Sequence, residues 1–231
     1  MDEIDKALDE WRKSLCKSVD VGGLFSRNPV VHKWKAPFRS LSLREAVSWR
    51  LQDLLYQSKL LSDSNHLLGA RILLRSAFET LAVLIHLNQL MRKVVSGEID
   101  FHAFSDKTTI LLLGSRDKST PYESLNIVTI LQKCDKKYPG IFEIYEGLCE
   151  SAHPNYEGLS GGYSTIDYEN HVTLYFNKWA DLFAVSQNHG IALCINTFNH
   201  EYNHEWFEAM TNMESWIEKN DSELRKGKYD A

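Results

Sequence analysis

The run "HLLGARILLRSAFETLAVLIHLNQLMRKVV", His66 to Val95, is apolar on nearly every side of a helix. Leu67, Leu74, Phe78, Leu81 and Ile85 cover one side, and Ile72, Leu73, Leu84 and Leu87 cover others. A helix that is apolar all round is a buried one, so this segment is expected at the centre of a bundle. Arg71, Arg75 and Glu79 interrupt it and set it apart from a bilayer-spanning segment.

Working outward, Ser42 to about Leu61 reads as a helix opened by the capping box "SLRE", in which Ser42 and Glu45 exchange hydrogen bonds with each other's backbone. Residues 2–18 form a short amphipathic helix with Ile4, Leu8, Trp11 and Leu15 on one face. The intervening "VDVGGLFSRNPVVHKWKAPFRSLS" has a Gly-Gly pair and two prolines, and reads as a loop or extended arm. Downstream, "TTILLLGS" fits either a buried strand or a helix turn. Residues 124–137 and 141–152 read as helices separated by Pro139-Gly140, and "YSTIDYENHVTLYF" alternates with period two, as a β-hairpin does. Residues 178–218 form one long helix, or two with a break near Gly190, and "NDSELRKGKYDA" reads as a fraying end. The sum is all-α: a helical bundle with one long buried central helix and a small β-hairpin. It reads as a single domain over 1–231, with a helix and arm in 1–41, a core in 42–176 (hairpin near 163–176) and C-terminal helices in 178–219.

Composition agrees with a globular chain: 231 residues, 43% hydrophobic and 25% charged. A net charge of -5 argues against a general nucleic-acid binder. The charged N-terminus lacks the apolar region of a signal peptide, and no uninterrupted apolar run reaches membrane-spanning length. Cys16, Cys134, Cys149 and Cys194 are scattered without a CxxC pair. They read as reduced thiols of a cytoplasmic protein, with no cofactor or membrane partner expected.

At about 100° per residue, Arg71, Arg75, Glu79, His86 and Gln89 share one narrow stripe of the central helix. Burying two guanidinium groups demands partners. Two readings stand open. One is an ion-pair ladder, with Arg75 and Glu79 four residues apart. The other is a pocket for a small anionic ligand, since arginine's planar fork suits phosphate or carboxylate.

A second polar cluster lies in "CESAHPNYEG", Cys149 to Gly158. Pro154 holds His153 extended and stops the preceding helix. Asn155 and Gly158 suit the turn that follows. Together, "ARILLRSAFETLAVLIHL" and "YEGLCESAHPNYEG" resemble a group of uncharacterised bacterial helical proteins of HEPN-like character, some found near phage-defence or abortive-infection genes. The resemblance covers about residues 42–176. It implies that Arg71, Arg75, Glu79, His153 and Asn155 converge on one ligand site, with His153, Arg75 and Glu79 as catalytic candidates. It also implies RNA or a nucleotide as ligand, and a homodimer as the assembly. HEPN ribonucleases carry an Arg, four to six further residues and then a His; before His153 that window holds Glu146, Gly147 and Leu148, with no Arg. The spacing does occur in "RNPVVH", Arg27 to His32, where His32 would act as acid or base and Arg27 would stabilise phosphate charge.

"HEYNH", His200 to His204, matches the H-E-x-x-H pattern of zinc hydrolases, with Glu201 as base and Glu208 continuing the row. Only a short chain follows it to supply a third ligand, and a solvated helix face explains the same residues.

Overall fold

The computed structural model describes residues 2–226. Within them the chain is helical with one small hairpin. Helix α1 (Glu3–Ser14) starts with Glu3 and Asp5 and ends with Arg12 and Lys13, charges that complement the helix dipole at both ends. Leu8 and Trp11 are its buried residues.

The expected loop is largely helical. Asp20 caps α2 (Val21–Arg27), accepting a 2.9 Å hydrogen bond from the Gly23 N–H. Helix α3 (Lys35–Asp63) then begins seven residues ahead of Ser42. Pro37 sits in its first turn, where a missing N–H costs nothing because no intrahelical acceptor exists there. "SLRE" is therefore no capping box. Ser42 is inside α3, and the Glu45 carboxylate accepts instead from Arg44 (2.6 Å) and the Tyr202 hydroxyl (2.8 Å).

Helix α4 (Leu67–Val95) is the central one, with Phe78, Leu81, Leu84, Ile85 and Leu87 fully buried and Ile72 left exposed. Asp100 caps α5 (Phe101–Leu113) through the His102 and Ala103 N–H groups, which resolves "TTILLLGS" as a helix end. Helices α6 (Ile127–Asp135) and α7 (Ile141–Ala152) follow. His153 closes α7 in extended geometry (φ -94°, ψ 148°), as a pre-proline residue should.

The turn beyond is a π-helical segment, Tyr156–Gly161, started by the Asn155 side chain, which accepts from the Gly158 N–H at 3.0 Å. A Cβ on Gly158 would meet the His153 carbonyl oxygen at 2.1 Å, so only glycine fits. Strands β1 (Ser164–Asp167) and β2 (Val172–Tyr175) pair antiparallel, with Ser164 opposite Tyr175 and Asp167 opposite Val172. Helix α8 (Trp179–His200) passes through Gly190 without a break. That glycine serves packing: a Cβ there would lie 2.7 Å from Leu74 Cδ2. A π-helical turn, Glu201–Glu205, leads into α9 (Trp206–Lys226). The expected fraying end is helical through Lys226, and its remainder, 227–231, lies outside the described residues.

The chain divides into two compact units. Of the described residues, the first comprises 2–14, 49–81 and 131–197, and the second 15–48, 82–130 and 198–226. The first unit has a core around Leu67, Ala70 and Trp179, backed by Leu61, Tyr163 and Phe183. A buried polar link crosses it: Gln187 donates to the Ser58 hydroxyl (2.8 Å), which donates to the Ala70 carbonyl (2.8 Å). The second unit has an aromatic core in which Phe101 packs edge-on to Trp34 and beside Phe104 and Trp216.

Candidate functional site

Within the first unit, α7 lies along the polar stripe of α4 and separates its two arginines chemically. Arg75 is part of a closed network. Its Nη2 lies 3.0 Å from Glu79 Oε1 and 3.1 Å from the Tyr145 hydroxyl, and its Nε donates to Cys149 Sγ at 3.1 Å. Tyr145 in turn donates to Glu79 at 3.0 Å. Burial works against the Arg75 charge, but the bonds to Cys149 and Tyr145 and the Glu79 carboxylate outweigh it and raise the pKa. Burial and the bond to Cys149 push the Tyr145 phenol up to about 12.

Arg71, one turn earlier, has no carboxylate in contact among the described residues. It is only 6% exposed. Its Nε donates to the Ser151 hydroxyl at 2.6 Å, its Nη2 to the Gly147 carbonyl at 3.3 Å, and the guanidinium covers the Phe183 ring at 3.9 Å. Among the described residues Nη1 has no hydrogen-bond partner. Burial lowers the Arg71 pKa; Glu157, which accepts from Ser151 at 2.5 Å, partly offsets this from a distance. Arg71 lines a cavity of about 340 Å³. Leu74, Ile144, Leu148, Phe183 and Leu193 give it apolar walls, and Ser186 and His189 are its other polar side chains. An apolar cleft with one cation and a few polar groups is the usual form of a small-molecule site.

The remaining sequence candidates fall elsewhere. His153 is exposed at the end of α7, two residues past Ser151. Asn155 works on the backbone, capping the π-helical segment while its amide reaches Glu150. His86 and Gln89, on the same stripe of α4, belong to the second unit.

In that unit, Arg27 and His32 do meet, on a residue the sequence did not suggest. Glu214 Oε1 lies 3.3 Å from Arg27 Nη2 and 3.4 Å from His32 Nε2. The three line a second cavity of about 340 Å³ with Trp206, Phe207 and Met210. Burial, with Arg27 nearby, lowers the His32 pKa against the opposing pull of Glu214.

"HEYNH" occupies the π-helical turn. The His200 and His204 rings are 5.8 Å apart, but His200 faces Glu205 at 3.3 Å. Glu201 is fully buried and accepts from the Asn88 amide at 2.7 Å, so it cannot serve as a solvent-facing base. Glu208 lies 3.6 Å from Arg92. Among the described residues no group of three or more His, Cys, Asp or Glu side chains is placed to hold a metal ion, and no helix is long and apolar enough to cross a membrane.

The partners of the stripe escaped the sequence reading because they come from α7, about 70 residues on. The one available signal was spacing: Tyr145 and Cys149, and Gly147 and Ser151, are each four apart and share faces of that helix. No family model, curated protein or solved structure matches the chain.

Proposed function

We propose that the chain binds a small amphipathic anion, a carboxylate or phosphate head on an apolar body, in the Arg71 cavity. The observation that carries this is that buried Arg71 touches a hydroxyl, a carbonyl and a ring face, and no carboxylate among the described residues. Without Arg71, Ser151 still donates to Glu157, and the Gly147 carbonyl is still a helical acceptor on α7. A buried guanidinium with no carboxylate in contact among the described residues, at the lining of a largely apolar cavity, is suited to an incoming anion. His189, from α8, offers a second polar group at the lining of the same cavity. Calorimetric titration with octanoate, against octanol as the neutral control, tests the reading. Octanoate is expected to bind and octanol to fail. Equal binding of the two, or none by octanoate, would reject it.

A second reading rests on Arg27, His32 and Glu214. His32 beside a carboxylate is an acid–base pair, and Arg27 supplies a cation for a phosphodiester. This fits the ribonuclease activity that the HEPN-like resemblance implies, as part of a defence system. Labelled RNA incubated with wild type, Arg27→Ala and His32→Ala decides it: cleavage must appear in the wild type and disappear in both variants.

A further inference from the structure

A third cavity, of about 560 Å³, lies in the second unit at the start of α3. Its lining differs from that of the Arg71 cavity. Lys33, Lys35 and Arg39 supply three cations, against the single carboxylate of Asp106. Lys33 is already engaged, at 2.5 Å from Asp221. Lys35 and Arg39 are not. Lys35 is exposed and has no partner among the described residues. Arg39 reaches only the hydroxyl (3.3 Å) and carbonyl (3.4 Å) of Ser105, neither of them charged.

The two stand four residues apart, one turn of α3, and so face the same side. They project from the first turns of a 29-residue helix, whose early N–H groups lack intrahelical acceptors and whose dipole favours negative charge. Tyr122, 40% exposed, lines the same cavity. In a chain of net charge -5, two unneutralised cations gathered over hydroxyls in a cavity of this size are a local reversal of the overall field.

We infer that this cleft is a binding site for a phosphorylated small molecule, with the phosphate held by Lys35 and Arg39 beside Ser105 and the organic portion against Tyr122. The dianionic phosphate matches two cations of different geometry: Arg39 as a directional fork, Lys35 as a movable point charge. The inference is independent of the Arg71 reading, since it concerns other residues in the other unit.

The test is titration with adenosine 5′-monophosphate, ribose 5-phosphate and adenosine. Both phosphates are expected to bind and adenosine to fail. Lys35→Ala should weaken binding at least tenfold, and Asp106→Asn should tighten it severalfold by removing the opposing carboxylate. Lys35 and Asp106 are exposed, so these variants are expected to fold as the wild type does, and matching melting temperatures check it. Arg39→Lys should retain partial binding where Arg39→Ala loses it. Adenosine binding as well as its monophosphate, or no response to Lys35→Ala and Asp106→Asn, would overturn the assignment; so would failure of both phosphates to bind wild type.

Discussion

Arg71 and Arg75 stand one turn apart on the same helix, yet they have opposite surroundings. Arg75 has a carboxylate at 3.0 Å, a phenol and a thiol, and its charge is reinforced. Arg71 is the more buried of the two, has a hydroxyl, a carbonyl and a ring face, and its charge is opposed. On the proposed reading the difference is one of role. A half-buried ion pair completed on its own helix would then be architecture, and a buried cation without a carboxylate in contact an invitation to a ligand.

Substitution by an apolar side chain of similar length separates the two. Arg71→Met should reduce octanoate affinity at least tenfold, about 1.4 kcal/mol or more, while shifting the melting temperature little. A large loss of stability instead would make Arg71 architectural as well and erase the contrast. Arg75→Met should behave in the reverse sense. It leaves Glu79 as a half-buried carboxylate without its cation, at a cost of about 1–3 kcal/mol, seen as a lowered midpoint in urea unfolding with octanoate binding retained. Tyr145→Phe removes one neutral donor from the same network and should cost about 1 kcal/mol by the same measurement.

The smallest effect lies outside the stripe and asks whether a buried basic group elsewhere also has its charge opposed. His32 has a lowered pKa in the fold, so the unfolded chain binds the extra proton first. Its contribution to stability is therefore present above the unfolded value of about 6.5 and lost as pH falls below it. Melting temperatures measured from pH 7.5 to 5 should fall less steeply in His32→Gln than in wild type. An equal fall would show that Glu214 and burial cancel, and a steeper one that Glu214 dominates over burial.

How much of this could be read from the chain follows the range of the interactions involved. The central helix was legible because its apolar residues surround it within a single segment, and the stripe because it follows from the helical period alone. The α2 region was not. Two glycines and two prolines read as irregular, but Asp20 supplies a local cap and Pro37 falls in the one turn where helices accept it. The convergence of Arg27 and His32 on Glu214 was hidden for another reason: 187 residues separate Arg27 from that carboxylate. The carriers of the proposed specificity, Ser151 and Phe183 around Arg71, are likewise set by packing that no local pattern encodes.

The π-helical turn at Glu201–Glu205 acts as a phase shifter. A π turn holds one residue more than an α turn. Counting from buried Phe198 at the α-helical period, the next core positions would fall near 202, 205, 209 and 212. The buried residues are instead Trp206, Ala209, Met210, Met213 and Ile217, a row displaced by about one position. The wider turn absorbs that extra residue and so keeps the apolar face of α9 in line with Phe198. Deleting one residue between 201 and 205 would bring Trp206 to the regular α position and leave the face in phase, whereas rewinding the turn to regular α at unchanged length would turn every side chain from Trp206 onward about 100° away from the core it was written for.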